Sequence, residues 1–272
     1  MGAALILVLV AVGSVLFHLL SPWWWTPIAS NWQYIDHTIN LTFWITGFVF
    51  TAIVLFTAYC VFRFRHQPGR LAIYNPENKK LEWWLTIGTA VGVVAMLAPG
   101  LFVWNQFVTV PHGASEIELV GQQWQWSFRL PGEDGRLGKS DPRNVSPENP
   151  LGLSPNDPDA RDDIIIEADE LHLPIGKPIK VLLRSIDVVH GFYVPEFRTK
   201  MDLVPGMVSY VWFTPIRTGP FEILCAELCG SGHSNMRGKV VVDEEREYKA
   251  WLQKQKTFAQ SLKQTKQAEA AR

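Results

Sequence analysis

Twelve consecutive residues near the end of the chain carry most of the side chains that can bind a metal. Residues 225–236 read Cys-Ala-Glu-Leu-Cys-Gly-Ser-Gly-His-Ser-Asn-Met, which brings together two thiols, an imidazole, a thioether and a carboxylate. Thiolates and thioethers are soft ligands that select copper, zinc or iron–sulfur clusters. A disulfide between Cys225 and Cys229 would leave the nearby His233 and Met236 unexplained. We therefore predict that this segment, called the metal loop below, binds metal.

An upstream histidine has the position expected of a ligand from a second part of the fold. His190 follows the run Asp187-Val188-Val189 and lies 35 residues before Cys225. Copper electron carriers with a β-sandwich fold typically take one histidine from an earlier strand end and the other ligands from a loop near the C-terminus. His190 is therefore predicted to join the metal loop.

The donor set is compatible with two kinds of metal site. Cys225, Cys229, His233 and His190 would form a tetrahedral zinc site. The thioether of Met236 favours copper, and two thiolates with two imidazoles and a thioether can hold two metal ions bridged by both sulfurs. Hydrolytic catalysis is disfavoured, because a closed, thiolate-rich site has no open position for water.

Composition places a membrane anchor before a soluble domain. The chain has 272 residues, a formal net charge of -1, 47% hydrophobic residues and twelve Trp. The apolar residues are concentrated in the first 110 positions. The balanced charge and the lack of a nucleic-acid motif argue against a nucleic-acid partner.

Three uncharged apolar runs, at residues 3–20, 39–62 and 83–104, are long enough to cross a membrane. The first, assigned to residues 1–20, competes with a signal peptide. A retained helix is favoured, because no Lys or Arg precedes the run and no small-residue cleavage site follows it. The indoles of residues 23–25 are expected at the membrane interface.

The second and third runs form a predicted transmembrane hairpin at residues 39–106. Its loop, residues 63–82, carries five basic residues, whereas residues 21–38 carry no Lys or Arg. By the positive-inside rule the loop is cytoplasmic, and the chain after the hairpin lies on the outer face. The five basic residues are Arg63, Arg65, Arg70, Lys79 and Lys80.

Beyond residue 115 the pattern becomes β-rich. Short segments of β-branched and aromatic residues, separated by Gly, Pro and Asp, predict a β-sandwich or barrel over 115–243. The large residues of 207–213 predict a strand buried on both faces. Residues 131–163, with eight carboxylates against four basic residues, are expected to form a solvated surface loop, with an acidic docking surface as the alternative. Residues 244–272 are expected to form an exposed helix and a disordered end. The candidate strands are 116–120, 123–130, 163–168, 179–185, 209–214, 221–225 and 239–243.

The pattern Cys-x-Glu-x-Cys-Gly-x-x-His-x-x-Met with an upstream His resembles the binuclear copper A site of subunit II of heme-copper cytochrome c oxidases. The resemblance covers roughly residues 35–245 and implies a cupredoxin-like Greek-key β-sandwich behind the membrane helices. It implies that the copper ligands are the side chains of His190, Cys225, Cys229, His233 and Met236 and the backbone carbonyl of Glu227. It also implies that the Glu227 carboxylate reaches a magnesium ion at the boundary with subunit I.

The resemblance assigns three further residues. Trp124, in Gln-Trp-Gln-Trp-Ser, matches the indole through which an electron enters, although Gln125 stands where the family commonly has Tyr. Trp126 is either part of the same patch or a core residue. Alternation along a strand places both indoles on one side, so it does not distinguish the two readings. Asp187 matches a carboxylate of the cytochrome c docking area, where it would steer a basic cytochrome in a salt-dependent way. Glu82 matches a carboxylate at a proton-uptake entrance; its alternative role is to stabilise a helix N-terminus.

The function implied by the resemblance is electron entry into a respiratory oxidase. The subunit would accept electrons from cytochrome c and pass them to heme in subunit I, where oxygen is reduced to water with proton translocation. The implied location is a bacterial inner membrane, with the copper domain periplasmic. The extra N-terminal run and residues 131–163 are not general family features, and no Cys-x-x-Cys-His heme attachment motif occurs.

Three rival functions remain open. A quinol oxidase subunit II has the same fold without copper, which the complete ligand set disfavours. Nitrous oxide reductase carries a similar copper centre but is a soluble enzyme. A zinc-stabilised membrane receptor would leave Met236 and Glu227 unexplained.

Overall fold

A computed structural model describes residues 1–21, 26–71, 74, 76–146, 149–166 and 170–270. The chain divides into two compact units. One comprises Met1–Thr26 with Tyr34–Asn105, and the other comprises Pro27–Gln33 with Gln106–Arg272. The expected interfacial indoles of residues 23–25 lie outside the described residues.

Three long helices coincide with the three predicted apolar runs. Each is long and apolar enough to cross a membrane. Asn78 begins the third helix, because its side-chain oxygen accepts a hydrogen bond from the Leu81 N–H at 3.1 Å. The helices of the described chain are α1 Gly2–Leu20, α2 Gln33–Arg63, α3 Lys79–Val108, α4 Pro158–Arg161, α5 Glu245–Leu252 and α6 Phe258–Ala270.

Helix α1 packs antiparallel to α2. Its beginning, Met1 to Val8, lies against Leu55 to Phe62, and its end lies against the segment around Phe43. Ala4, Ala11 and Ala58 are the buried side chains of the two helices.

The second unit is a β-sandwich of two five-stranded sheets, as predicted. One sheet has the order β3-β2-β1-β5-β8 and the other β4-β10-β9-β6-β7. Seven strands overlap the seven predicted segments, and β4, β6 and β7 are additional. The strands are β1 Ser115–Gln122, β2 Gln125–Leu130, β3 Ile164–Ile166, β4 Glu170–Pro174, β5 Ile179–Ser185, β6 His190–Val194, β7 Thr199–Leu203, β8 Ser209–Phe213, β9 Gly219–Cys225 and β10 Arg237–Asp243.

Strand β8 is half-buried, so the prediction of burial on both faces is wrong. Val211 and Phe213 point into the core, whereas Tyr210 is 37% exposed. Met207 and Val208 precede the strand and are 62% and 59% exposed. Apolar residues at consecutive positions suggested a central strand, but β8 lies at the edge of its sheet, with β5 on one side.

The stretch from 131 to 163 is anchored to the sandwich. Leu151, Leu153 and Ala160 form a buried cluster with Val120 of β1 and Phe258 of α6. The expectation of a solvated loop is therefore wrong for these residues, and the expectation of an exposed tail is wrong for Phe258. Apolar residues spaced irregularly in a polar stretch show no period, so the sequence did not reveal that they share one cluster.

A buried network of four charges fixes this stretch. The Arg129 guanidinium contacts Glu118 at 2.8 Å and Asp163 at 2.9 Å, and donates to the Gly138 carbonyl at 2.6 Å. Arg184 contacts the second oxygen of Glu118 at 3.1 Å and also donates to the Leu151 carbonyl. Burial raises the pKa of Asp163 to about 6 despite Arg129. The network therefore joins strands β1, β2 and β5 to both ends of the stretch.

Removing Arg129 should destabilise the sandwich. Arg129→Met leaves Glu118 and Asp163 short of a buried positive charge, and we expect a loss of about 3–5 kcal/mol in the free energy of unfolding at pH 8. The loss should shrink toward pH 5, because protonation of Asp163, whose pKa is already raised, removes an uncompensated charge. Urea unfolding of the detergent-solubilised chain measures both effects.

The matched control is Arg143→Met in the same stretch. Arg143 pairs with Asp141 at 2.6 Å, but its side chain is 89% exposed. No measurable loss is expected there, because water screens exposed ion pairs. Equal effects of the two substitutions would show that the Arg129 network does not fix the stretch.

Candidate metal centre

Two neighbouring strands of one sheet bring the predicted ligands together. Strand β6 begins at His190, strand β9 ends at Cys225, and the two pair antiparallel with Phe192 opposite Cys225. The metal loop connects β9 to β10, so Cys229, His233 and Met236 return to the same end of the sheet. The Ala226 N–H donates to the Gly191 carbonyl at 2.9 Å, which ties the loop to β6.

The two thiols lie side by side, and each has its own imidazole. The Sγ atoms of Cys225 and Cys229 are 3.7 Å apart. Cys225 Sγ is 3.9 Å from His190 Nδ1, and Cys229 Sγ is 3.6 Å from His233 Nδ1. Met236 Sδ is 3.8 Å from Cys229 Sγ. All five predicted side-chain ligands therefore meet at one place.

These separations fit ligands that share metal ions. Two donors on one tetrahedral ion, with bonds of about 2.1–2.3 Å, are themselves about 3.4–3.8 Å apart. His190, Cys225 and Cys229 have ligand atoms all within 4.8 Å of one another, a set that does not include His233. One tetrahedral ion needs all four donors within such a distance. The four donors of a single tetrahedral ion are therefore not all gathered in this set.

Burial keeps the metal loop's second thiol protonated while no metal is bound. Cys229 is 3% exposed, and its burial, together with its hydrogen bond to Cys225, raises the pKa of Cys229 to about 11. A metal ion has to displace this proton when the thiolate binds it.

Glu227 contributes its backbone and its side chain in different directions. Its carbonyl accepts a hydrogen bond from the Cys225 thiol at 3.3 Å, so the carbonyl oxygen faces the site. Its carboxylate contacts the Lys200 ammonium at 2.7 Å, and this hydrogen bond lowers the pKa of Glu227. Asp202 lies 3.5 Å from the same ammonium. Sequence reasoning did not pair Lys200 with Glu227, because the two residues lie 27 positions apart.

Asp187 is an exposed residue whose carboxylate forms hydrogen bonds within the chain. Its Oδ1 contacts His190 Nε2 at 2.8 Å and accepts from the Val188 N–H, and its Oδ2 accepts from the Gln123 N–H at 2.6 Å. Partial burial alone would raise the pKa of Asp187, but the hydrogen bonds from His190 and the two amides together lower it. Binding of Nε2 by the carboxylate leaves His190 Nδ1 directed at Cys225. Asp187 therefore orients a predicted ligand.

The structure separates the two indoles that alternation could not sort. Trp124 lies in the turn between β1 and β2, is 41% exposed, and donates from Nε1 to the Cys229 carbonyl at 3.3 Å. Trp126 is fully buried in β2, with its ring 6.2 Å from that of His190. The alternation rule fails because Trp124 is outside the strand.

Two residues that sequence reasoning missed hold Trp124 in place. Gln123 donates from its side chain to the Cys229 carbonyl at 2.7 Å. A Cβ atom on Gly232 would lie 2.3 Å from Cδ2 of Trp124, so the indole packs directly over this glycine. The Gly-x-Gly spacing between Cys229 and His233 could have indicated that another group packs closely on this backbone. That group is Trp124, which lies about a hundred positions earlier in the chain.

Glu82 lies in the other unit, in the first turn of α3, with an exposed side chain. The Glu82 N–H donates to the Asn78 carbonyl at 3.0 Å.

The fold and site define a membrane-anchored β-sandwich protein with a thiolate-rich metal loop, and comparison with known proteins identifies the family. The family described as cytochrome c oxidase subunit II, periplasmic domain, matches residues 116–244. The alternative cytochrome c oxidase subunit 2 of Bradyrhizobium diazoefficiens is 72% identical over 259 residues, covering 95% of this chain and 94% of that protein. The chain belongs to the cytochrome c oxidase subunit II family, and is thus a subunit of an oxidoreductase complex.

Two further known proteins are similar to this chain. Cytochrome c oxidase subunit 2 of Cereibacter sphaeroides is 30% identical, covering 77% of this chain and 74% of that protein. The crystal structure of the periplasmic domain of subunit II of cytochrome oxidase (CoxB) of Bradyrhizobium japonicum is 29% identical in sequence. It covers 53% of this chain and 95% of that chain, with a TM-score of 0.39.

Removal of the Asp187 carboxylate should weaken metal binding. Asp187→Ala frees the His190 ring to rotate and change tautomer, and we expect metal affinity to fall about 10–100-fold. Metal titration against a competing chelator measures the change. Glu222→Ala is the control, because Glu222 pairs with Arg237 at 2.8 Å just outside the metal loop. Equal affinities in the two variants would contradict the orienting role of Asp187.

Proposed function

We propose that this chain is the electron-entry subunit of its oxidase. It accepts electrons one at a time from a cytochrome c at a binuclear copper A centre and passes them to heme in subunit I. Oxygen is reduced to water there, coupled to proton translocation, and not on this chain. The observation that carries this proposal is the paired arrangement of two adjacent thiols, each with its own imidazole.

The ligands of the proposed centre are His190, Cys225, Cys229, His233 and Met236, with the Glu227 carbonyl. Bound copper would supply a site that gains and loses one electron with little rearrangement of its ligands. The protein's part is to hold the donors in place beforehand. Two of them, Cys225 and His190, begin or end paired strands, and Asp187 fixes the imidazole of the second.

Zinc is the alternative metal. A single zinc ion would need His233 beside the other three donors, and the tight donor set does not include it. The thioether of Met236, 3.8 Å from Cys229 Sγ, also supports a softer metal.

Trp124 is the proposed electron entry. Its exposed indole meets the Cys229 carbonyl through one hydrogen bond, so a single contact joins the protein surface to a ligand residue. An indole is large and polarisable and tolerates an exposed edge beside an apolar partner.

Glu227 is proposed to bind magnesium at the boundary with subunit I. Its carboxylate, with Asp202 beside it, offers the oxygen ligands that magnesium prefers, although Lys200 occupies it in the isolated chain. Mn²⁺ can serve as the probe for this magnesium site. Loss of bound Mn²⁺ from a Glu227→Gln oxidase with unchanged copper content would support the assignment, and retained Mn²⁺ would contradict it.

Glu82 is proposed to lie at a proton-uptake entrance of the complex, on the cytoplasmic side. The basic loop between α2 and α3 supports that orientation in a bacterial inner membrane, with the β-sandwich in the periplasm. Asn78 already caps α3 with its side chain, which leaves the Glu82 carboxylate available for another role. A Glu82→Gln oxidase with unchanged proton uptake would contradict the assignment.

Metal content tests the copper proposal directly. The oxidase containing this chain should hold two copper ions per chain at the metal loop, sharing one unpaired electron when partly oxidised. Elemental analysis and electron paramagnetic resonance measure these properties, and Met236→Leu should change the spectrum while both coppers remain. One copper, a preference for zinc, or no metal would refute the proposal.

Replacing Trp124 should slow electron entry and leave the metal in place. We expect Trp124→Phe to lower the rate of reduction by cytochrome c by roughly tenfold, about 1.4 kcal/mol in activation free energy. Gly232→Ala should act in the same direction, because the added methyl displaces the indole. Stopped-flow reduction measures both rates.

Trp251→Phe is the control, because it makes the same change at an indole that takes no part in the proposed centre. Trp251 instead stacks on His172 of β4, with ring centroids 4.5 Å apart. Loss of copper from the Trp124 variant would instead make Trp124 a structural residue.

A further inference from the structure

The imidazole of His190 belongs to one sheet and packs against the other. His190 begins β6, which lies between β9 and β7, whereas its ring contacts strands β1 and β2 of the opposite sheet. These contacts come from Gly121 and Trp126, which lie opposite each other where β1 pairs with β2. All three residues are buried. The position of a predicted ligand therefore depends on two residues whose side chains cannot bind a metal.

Gly121 lets the imidazole approach the backbone of β1. A Cβ atom on Gly121 would lie 3.1 Å from Cδ2 and 3.3 Å from Cγ of His190, and 3.1 Å from Cδ2 of Leu203. Carbon atoms in optimal contact are about 3.5–4.0 Å apart. A glycine inside a strand is typical of such a close approach. The space beside β1 is therefore filled by the ring of His190 and by Leu203, and has no room for a side chain at residue 121.

Trp126 meets the same imidazole edge to face. The two ring centroids are 6.2 Å apart, with an angle of 64° between the ring planes. The indole N–H of Trp126 has no hydrogen-bond partner among the residues that the structure describes. Buried indoles usually have one, and an unpaired donor destabilises the folded state. A phenyl ring would fill the core without that cost, so the reach of the larger indole toward His190 is what this position gains.

The two ring nitrogens of His190 face in other directions. Nε2 contacts Asp187 at 2.8 Å, and Nδ1 lies 3.9 Å from the Cys225 thiol. Asp187 itself accepts from the N–H of Gln123, in the turn between β1 and β2. The β1–β2 hairpin therefore restrains the imidazole at its carbon atoms directly and at Nε2 through Asp187. Nδ1 is left directed at the proposed centre.

We propose that Gly121 and Trp126 are positioning residues that set where His190 Nδ1 meets the metal. The contact with Gly121 fixes how far the ring extends from β6, and the contact with Trp126 fixes the orientation of its plane. Such outer contacts orient a ligand and tune the metal that it binds. This inference rests on the proposed copper centre and extends it to two residues of the neighbouring sheet.

Gly121→Ala tests the first contact. Gly121 lies within β1, so its backbone accepts alanine, but the added methyl must displace the imidazole or Leu203 by a few tenths of an ångström. In the full chain in detergent we expect copper affinity, measured against a competing chelator, to fall about tenfold. The reduction potential should rise, because a displaced imidazole stabilises the oxidised site less. A tenfold loss confined to the oxidised form corresponds to about 59 mV for one electron. Unchanged affinity and potential would overturn the proposal.

A second substitution at Leu203 should rescue this variant. In Gly121→Ala with Leu203→Ala, β1 can shift into the space left by the leucine and away from the imidazole. Copper affinity and potential should then return toward those of the unmodified chain. The free energy of unfolding should fall further, because Leu203 is fully buried and its truncation leaves a cavity. If affinity and stability worsen together, Gly121 acts only through core packing, and the proposal is overturned.

Trp126→Phe tests the second contact, with Phe128→Leu as the matched control. Phe128 is equally buried and lies on the same face of β2, one step of the alternation further from His190. We expect Trp126→Phe to lower copper affinity about tenfold and to change the copper hyperfine splitting in electron paramagnetic resonance. Phe128→Leu should leave both unchanged while it lowers the stability of the sandwich. Equal effects on affinity would show that affinity follows core packing, against the proposal.

A measurement without metal separates this inference from the proposed function. The ring nitrogen resonances of His190 in the metal-free full chain, assigned with His190→Gln, report the tautomer and surroundings of the imidazole. We expect them to shift in Gly121→Ala and in Trp126→Phe, and to stay unchanged in Phe128→Leu. If these shifts occur but copper does not bind, only the proposed function fails. If copper binds and the resonances are the same in all of these chains, only the positioning inference fails.

Discussion

The pairing of β6 with β9 is the constraint on which the rest of the site depends. It places His190 and Cys225, 35 residues apart, at the same end of one sheet, and the metal loop then has to return Cys229 and Met236 to that end before β10 begins. A flexible chain would have to order these donors around the ion, at a cost in free energy. Backbone pairing holds them there before any metal arrives, which is what a site with small ligand rearrangement requires.

A second layer of contacts couples this donor set to the surface. Asp187 joins a predicted ligand to the backbone of Gln123, and the carbonyl of Cys229 accepts hydrogen bonds from both Gln123 and Trp124. Gln123 and Trp124, in the turn between β1 and β2, therefore contact both the residue that orients His190 and the backbone of Cys229. A carboxylate that resembles a docking residue takes part in this layer through hydrogen bonds with His190 and two backbone amides.

The part of the sandwich that contacts residues 131–163 is held by buried ion pairs and apolar packing. Arg129 and Arg184 neutralise Glu118 and Asp163 in the interior, and Phe258 covers the apolar residues of the stretch that follows β2. Because a buried ion network is strongly destabilised when one partner is missing, it specifies one arrangement of a stretch that has little secondary structure. The stretch and the C-terminal helix α6 thereby become part of the domain.

The sequence by itself determined the ligand types, the three apolar runs and the β-rich character of the domain. Each of these depends on residue identity within a short window, or on the spacing of residues along one loop. Only the tertiary structure decided which indole is exposed, where Asp187 points, and that residues 131–163 contribute to a buried cluster. Those outcomes depend on contacts between residues far apart in the chain, such as Gln123 with Asp187, 64 positions away, and Trp124 with Cys229, 105 positions away. No local pattern encodes which partner a polar side chain meets when the chain folds.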